Sequence, residues 1–179
     1  AEILISDVLQ YLYGLVVPRY KQCNRKDKNA SEHGSDVIAY HLKKLNGAST
    51  SDKLFVFEVK SNASKTSDAE FIKTVKKATK DSVKDPNRVP MTLQYMIDEA
   101  IDVNDQTTQK NLQRFTDMGG SPCQKIFGSA VATSHAKPID ALSGKAPSDV
   151  DLSADSPLIV VHASKLMELV NSLYDRMTQ

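Results

Sequence analysis

Ile5, Val8, Leu9 and Leu12 fall about one helical turn apart and are followed by Gly14, so residues 2–13 read as a helix stopped by glycine. Leu15-Val16-Val17 and Arg19-Tyr20 then read as a first strand over 15–22, which Pro18 confines to an edge or an irregularity. Residues 24–33 are polar and basic, a loop. Gly34-Ser35-Asp36-Val37-Ile38-Ala39-Tyr40 reads as a turn entering a second strand at 35–42, and the polar segment 46–52 makes a hairpin loop to a third at 53–61.

Beyond this meander the apolar period changes to that of helices. Ser67-x-x-Glu70 is a capping box, and Phe71, Ile72, Val75, Ala78, Thr79 and Val83 form one inward face, up to Asp85-Pro86, which ends the helix. Lys73, Lys77, Lys80 and Lys84 recur along the same helix as a basic stripe, a candidate track for phosphates. A polar, amphipathic stretch at 91–117 reads as a helical insertion or a broken helix pair, closed by Gly119-Gly120-Ser121-Pro122. Residues 125–132 and 158–161 read as buried strands, separated by a Pro-, Ser- and Asp-rich loop or lid at 134–157. Ser164 caps a last helix with Leu166, Leu169, Val170, Leu173 and Met177 on its packing face. The fold class is α/β, in the order α-β-β-β-α-β-β-α with a helical insertion, and residues 1–179 form a single domain.

The third strand, Leu54-Phe55-Val56-Phe57-Glu58-Val59-Lys60, carries the chemistry. Strand side chains alternate faces, so Glu58 and Lys60 share a side with Leu54 and Val56, while Phe55, Phe57 and Val59 line the other. A carboxylate and an ammonium at the end of a strand that is apolar on both faces are costly to desolvate unless they pair or bind something. Mg²⁺ takes oxygen ligands and keeps several waters. Asp36 and Glu58 can supply two carboxylates and Val59 its carbonyl, with Lys60 placed to orient an attacking water and stabilise charge on a phosphate. Glu-x-Lys is a common tripeptide, and on a surface strand it is usually a solvated face; the apolar strand and the Gly-Ser-Asp turn before it set this one apart.

Composition changes this picture little. A chain of 179 residues, 40% hydrophobic and 25% charged, is ordinary for a soluble domain with a substantial core. No apolar run approaches the ~20 residues needed to span a bilayer, and no signal-peptide pattern is present, which points to the cytoplasm. The chain starts without Met inside an apparent helix, as a domain cut from a longer protein would. Cys23 and Cys123 form no CxxC or zinc pattern and read as reduced thiols. His135 and His162 read as packing or surface residues, and His33, just before the Gly-Ser-Asp turn, is a candidate to line the site. Net charge is only +1, but Arg19, Lys21, Arg25, Lys26 and Lys28 precede Asp36, and the lysine-rich helix follows Lys60. No GxGxxG, P-loop, GxSxG elbow or paired-His motif is present.

Asp36 followed by Glu58-Val59-Lys60 on the next strand resembles the PD-(D/E)xK nuclease superfamily, with Ser35 where its name has proline. The resemblance implies a restriction-endonuclease-like core and a Mg²⁺-dependent deoxyribonuclease, with Mn²⁺ also serving. It assigns metal binding and catalysis to Asp36, Glu58 and Lys60, and more loosely to Glu2 on the first helix. More narrowly, His33-Gly34-Ser35-Asp36, Phe57-Glu58-Val59-Lys60-Ser61 and Asp81-Ser82-Val83-Lys84-Asp85 resemble the HamA-type family of anti-phage defence nucleases of Hachiman systems. That resemblance implies DNA as substrate and a helicase, HamB, as partner, for which 91–117 and 134–157 are candidate docking surfaces. The alternative is a non-catalytic nucleic-acid-binding or assembly module on the same fold.

Overall fold

In the computed structural model residues 1–20, 34–44, 47–63, 67–116 and 123–177 are described. Helix α1 (Glu2–Asp7) passes into a π-helical turn (Val8–Leu12), and Gly14, at φ +65°, ends the run. The strand expected at 15–22 is reduced, among the described residues, to a single bridge. Val16 and Tyr40 exchange both backbone hydrogen bonds, at 2.9 and 2.8 Å. The next such pair along an antiparallel ladder would use residue 18, and Pro18 has no N–H to donate. Residues 21–33, with Lys21, Cys23, Arg25, Lys26, Lys28 and His33, lie outside the described residues, as do 117–122.

Strands β1 (Val37–His41) and β2 (Lys53–Asn62) pair antiparallel, from Val37 opposite Phe57 to His41 opposite Lys53. Strands β3 (Gln124–Thr133) and β4 (Leu158–His162) pair parallel, and the four strands hydrogen-bond in the order β1-β2-β3-β4. The fold is therefore mixed α/β, and among the described residues its meander has two full strands where three were expected. The chain divides into two compact units, with the boundary crossing β2 between Phe57 and Glu58 and β3 between Phe127 and Gly128.

The unit made of 2–57 and 83–127 is built on β1 and the first half of β2. Ile38 and Tyr40 share one face with Leu54 and Val56, as strand alternation requires. Two helices, α3 (Asp85–Asp102) and α4 (Gln106–Thr116), occupy the segment expected as an insertion. Val89, Leu93, Met96 and Ile97 of α3 and Leu112 and Phe115 of α4 complete the core over that face. Tyr40 and Phe115 meet ring to ring at 5.8 Å. Pro86 lies in the first turn of α3, where its missing N–H would have had no helical partner. It starts one helix as well as marking the end of another.

The other unit, chiefly 58–82 and 128–179, is built on helix α2 (Asp68–Ser82). Its capping box forms as read: the Glu70 N–H donates to Ser67 Oγ at 3.3 Å, and the Ser67 N–H to Glu70 Oε2 at 3.1 Å. Phe71, Val75 and Ala78, spaced by turns, are buried against Val131 of β3 and against Ala141 and Val150. The last two belong to helix α5 (Pro138–Leu142) and a 3-10 turn (Pro147–Val150), so short helices stand within the segment read as a loop or lid. Thr79 Oγ1 ties α2 to that turn by donating to the Val150 carbonyl at 2.8 Å. Val83, expected on the inward face, is 72% exposed because α2 ends at Ser82. Helix α6 (Leu166–Met177) buries Leu166 but leaves Leu169 exposed, and the side chains of Val170, Leu173 and Met177 are outside those described. Among the described residues no helix is long and apolar enough to cross a membrane.

Candidate functional site

Leu54, Val56, Glu58 and Lys60 project from one side of β2, and the first two are fully buried. Glu58 continues that row at only 4% exposure, so its carboxylate is taken out of water by the strand that carries it. A buried carboxylate needs a counter-charge or hydrogen-bond donors. Lys60, two residues on, supplies one and forms an ion pair with Glu58 Oε1. The same ammonium lies 3.5 Å from Asp81 Oδ2 on α2. One cation is thus held between two carboxylates, one from its own strand and one from the helix that follows.

Asp36 is delivered by a different device. It precedes Val37 and Glu58 follows Phe57, and those two residues face each other on the β1–β2 ladder. Asp36 thus enters β1 in one unit, while Glu58 begins the part of β2 that belongs to the other. The turn before Asp36 is clamped by α3: the Ser35 N–H donates to Thr92 Oγ1 at 3.1 Å, and that hydroxyl donates to the Arg88 carbonyl at 3.0 Å. Gly34 adopts φ +129°, and a Cβ there would stand 2.7 Å from Thr92 Oγ1. Only glycine fits both the dihedral and the approach.

The remaining sequence candidates are scattered more widely. Glu2 lies in the first turn of α1, partly buried. Val59 is 7% exposed, with its side chain on the opposite side of β2 from Glu58. Lys73, Lys77 and Lys80 are exposed along α2, and Lys76 joins them. Lys84 does not continue the stripe; it lies past the end of α2 at the N-cap position of α3. His33 falls outside the described residues. His135 is a packing residue: it is buried, stacks on Phe71 at 5.1 Å, places Nε2 2.8 Å from Asp68 Oδ1 and accepts the Lys137 N–H at Nδ1. His162 is exposed at the end of β4.

Among the described residues, no three His, Cys, Asp and Glu side chains gather into a group that could hold a metal ion. Mg²⁺ does not require such a cage, since it is commonly held by one or two carboxylates and retains waters. Asp36, Glu58 and the Val59 carbonyl offer oxygen alone, so the donor set fits a hard cation of that kind.

Asp81 entered the sequence reading only as part of the Asp81–Asp85 motif, with no role of its own, and Thr92 did not enter it at all. Asp81 sits three residues after buried Ala78, so an acidic side chain on the packed side of an amphipathic helix was the available signal. Thr92 gave none, because a threonine inside a helix becomes a clamp only when the turn before β1 is placed on it.

The HamA family profile matches residues 1–177. No curated protein and no solved structure matches the chain. The match covers nearly the whole sequence, including the Gly34–Asp36 turn, the Glu58–Lys60 strand and the helix bearing Asp81, and it agrees with the resemblance those motifs carry. The chain belongs to the HamA family.

Proposed function

We propose that this chain is a metal-dependent DNA endonuclease of the PD-(D/E)xK type on a restriction-endonuclease-like core, acting as the effector of an anti-phage defence complex with a helicase. The observation that carries the reading is the buried Glu58 carboxylate paired to Lys60 on β2. Membership of the HamA family supports the defence setting. Asp36 and Glu58, with the Val59 carbonyl, would hold Mg²⁺. Bound there, the ion would act as a Lewis acid on a phosphodiester.

The chain's own residues do the rest. Lys60 presents a fixed positive charge where negative charge develops on the attacked phosphate, and such preorganised charge is worth most in a partly desolvated site. Lys73, Lys77 and Lys80 present three ammonium groups on the exposed side of one helix, suited to a nucleic-acid backbone. The test is incubation with plasmid and with linear DNA, in Mg²⁺ or in EDTA, beside Glu58→Ala. Cleavage by the wild type in Mg²⁺, none in EDTA and none by the variant is expected. Full activity of Glu58→Ala would overturn the site assignment, and absence of cleavage by the wild type in Mg²⁺ would return the fold to a binding or assembly role.

A further inference from the structure

We infer that Asp81 is a positioning residue for Lys60, holding its ammonium in place when Glu58 gives its charge to a metal ion. This rests on the metal-site reading of Glu58 and on Lys60 as its neighbour. Glu58 and Lys60 lie on the same side of one strand and form an ion pair. If Glu58 were the sole anchor, a cation arriving at that carboxylate would release the lysine, whose four-carbon stem is flexible. Asp81 reaches the same Nζ at 3.5 Å from a second element.

That element is rigid. Helix α2 is pinned by buried Phe71, Val75 and Ala78, and by the hydrogen bond from Thr79 to the Val150 carbonyl. Ser82, next to Asp81, is buried and donates to the Thr79 carbonyl at 2.7 Å. The carboxylate of Asp81 is therefore presented from a fixed turn of helix. Sharing also divides the hold of the ammonium between two carboxylates, so less of it opposes a cation arriving at Glu58. Without Asp81, Lys60 neutralises Glu58 alone and competes with the metal for it.

The test is calorimetric titration of the metal-free protein with Mn²⁺, in wild type, D81A, D81E, K60A, D81A/K60A and E58A, each checked for an unchanged melting transition. D81A should weaken Mn²⁺ binding about fivefold, the scale of a partly exposed ion pair. D81E should restore affinity to within about twofold, because the anchor is a carboxylate on the same helix turn. In the K60A background D81A should lose most of its effect. DNA cleavage by D81A should fall in kcat with KM for DNA unchanged. An equal loss of affinity with and without Lys60 would overturn the proposal, showing that Asp81 acts on the metal directly or through net charge. Wild-type affinity in D81A would overturn it too. Mn²⁺ binding that survives intact in E58A, or is absent from the wild type, would instead overturn the metal-site reading itself.

Discussion

Glu58, Lys60 and Asp36 differ in how much of the surrounding structure each needs. Glu58 and Lys60 are set by one strand, so their relation was fixed as soon as β2 formed. Asp36 depends on Gly34, Ser35 and Thr92. Gly34→Ala should therefore cost about 1–3 kcal/mol of stability, from the strained dihedral and the close approach to Thr92 Oγ1 together. Denaturant unfolding of the purified variant measures it, and an unchanged midpoint would show that the turn relaxes freely. Asp36→Ala should abolish cleavage while leaving the melting transition near that of the wild type. Lys60→Ala should lower the cleavage rate on the order of 100-fold or more with little change in DNA affinity, since a charge placed for the transition state contributes to chemistry more than to binding. If rate and affinity fall in proportion, Lys60 clamps phosphate instead. Burial pushes the Cys123 thiol up, only partly opposed by Lys125, so at neutral pH it stays protonated.

At the scale of elements, helix ends and helix faces set what can be tested. Asp105 caps α4, accepting the Thr108 N–H at 3.0 Å, and Tyr20 donates to its other oxygen at 2.8 Å. The Thr108 N–H first, then the Thr108 and Tyr20 hydroxyls, hold this carboxyl below its ordinary value. A carboxyl whose pKa is lowered by folding contributes stability that is present above the unfolded value and lost as pH falls through the folded one. Asp105→Ala should cost about 1 kcal/mol at neutral pH, as loss of a cap does. The gap between wild type and variant should close only below about pH 4, where the unfolded carboxyl begins to protonate. Thermal melts across that range check both statements, and a constant gap down to strong acid would contradict the assigned hydrogen bonds. On α2, charge reversal at Lys73 and Lys77 should weaken DNA binding and lower the salt slope of log K by about 0.9 for each phosphate the helix no longer neutralises. Lys84, beyond the helix end, should contribute less than Lys80. A slope unchanged in the double variant would leave the stripe as a solvated face.

For the whole molecule, the proposed function raises the question of what would restrain such a nuclease. Aromatic residues are only 6% of the chain, and no recognition helix stands out in it. We expect a stable complex with a larger ATP-driven DNA translocase, with cleavage held low until abnormal DNA is engaged. Co-purification of the natively expressed protein tests this; high unregulated activity on intact duplex with no partner retained would contradict it. How far the fold and the site were legible in the amino-acid sequence depends on the range of the interactions. Strands β1 to β4, helix α2 with its Ser67–Glu70 cap, and the side shared by Glu58 and Lys60 follow from apolar runs, alternation, helical spacing and local hydrogen bonds, all set by residues a few positions apart, although β4, read as buried, is only half-buried. The failures were long-range. Whether 15–22 became a strand turned on Tyr40 and on the proline that blocks the next pair. The 91–117 segment was legible as helical, and a helix pair stands there; that it fills a core, and that Ala141 and Val150 pack on α2, depended on the distant strands and helices that supply the other side of each interface. Asp81 and Thr92 entered the site for the same reason. A side chain's spacing along the chain tells which face it shares, and only the packed fold decides what that face meets.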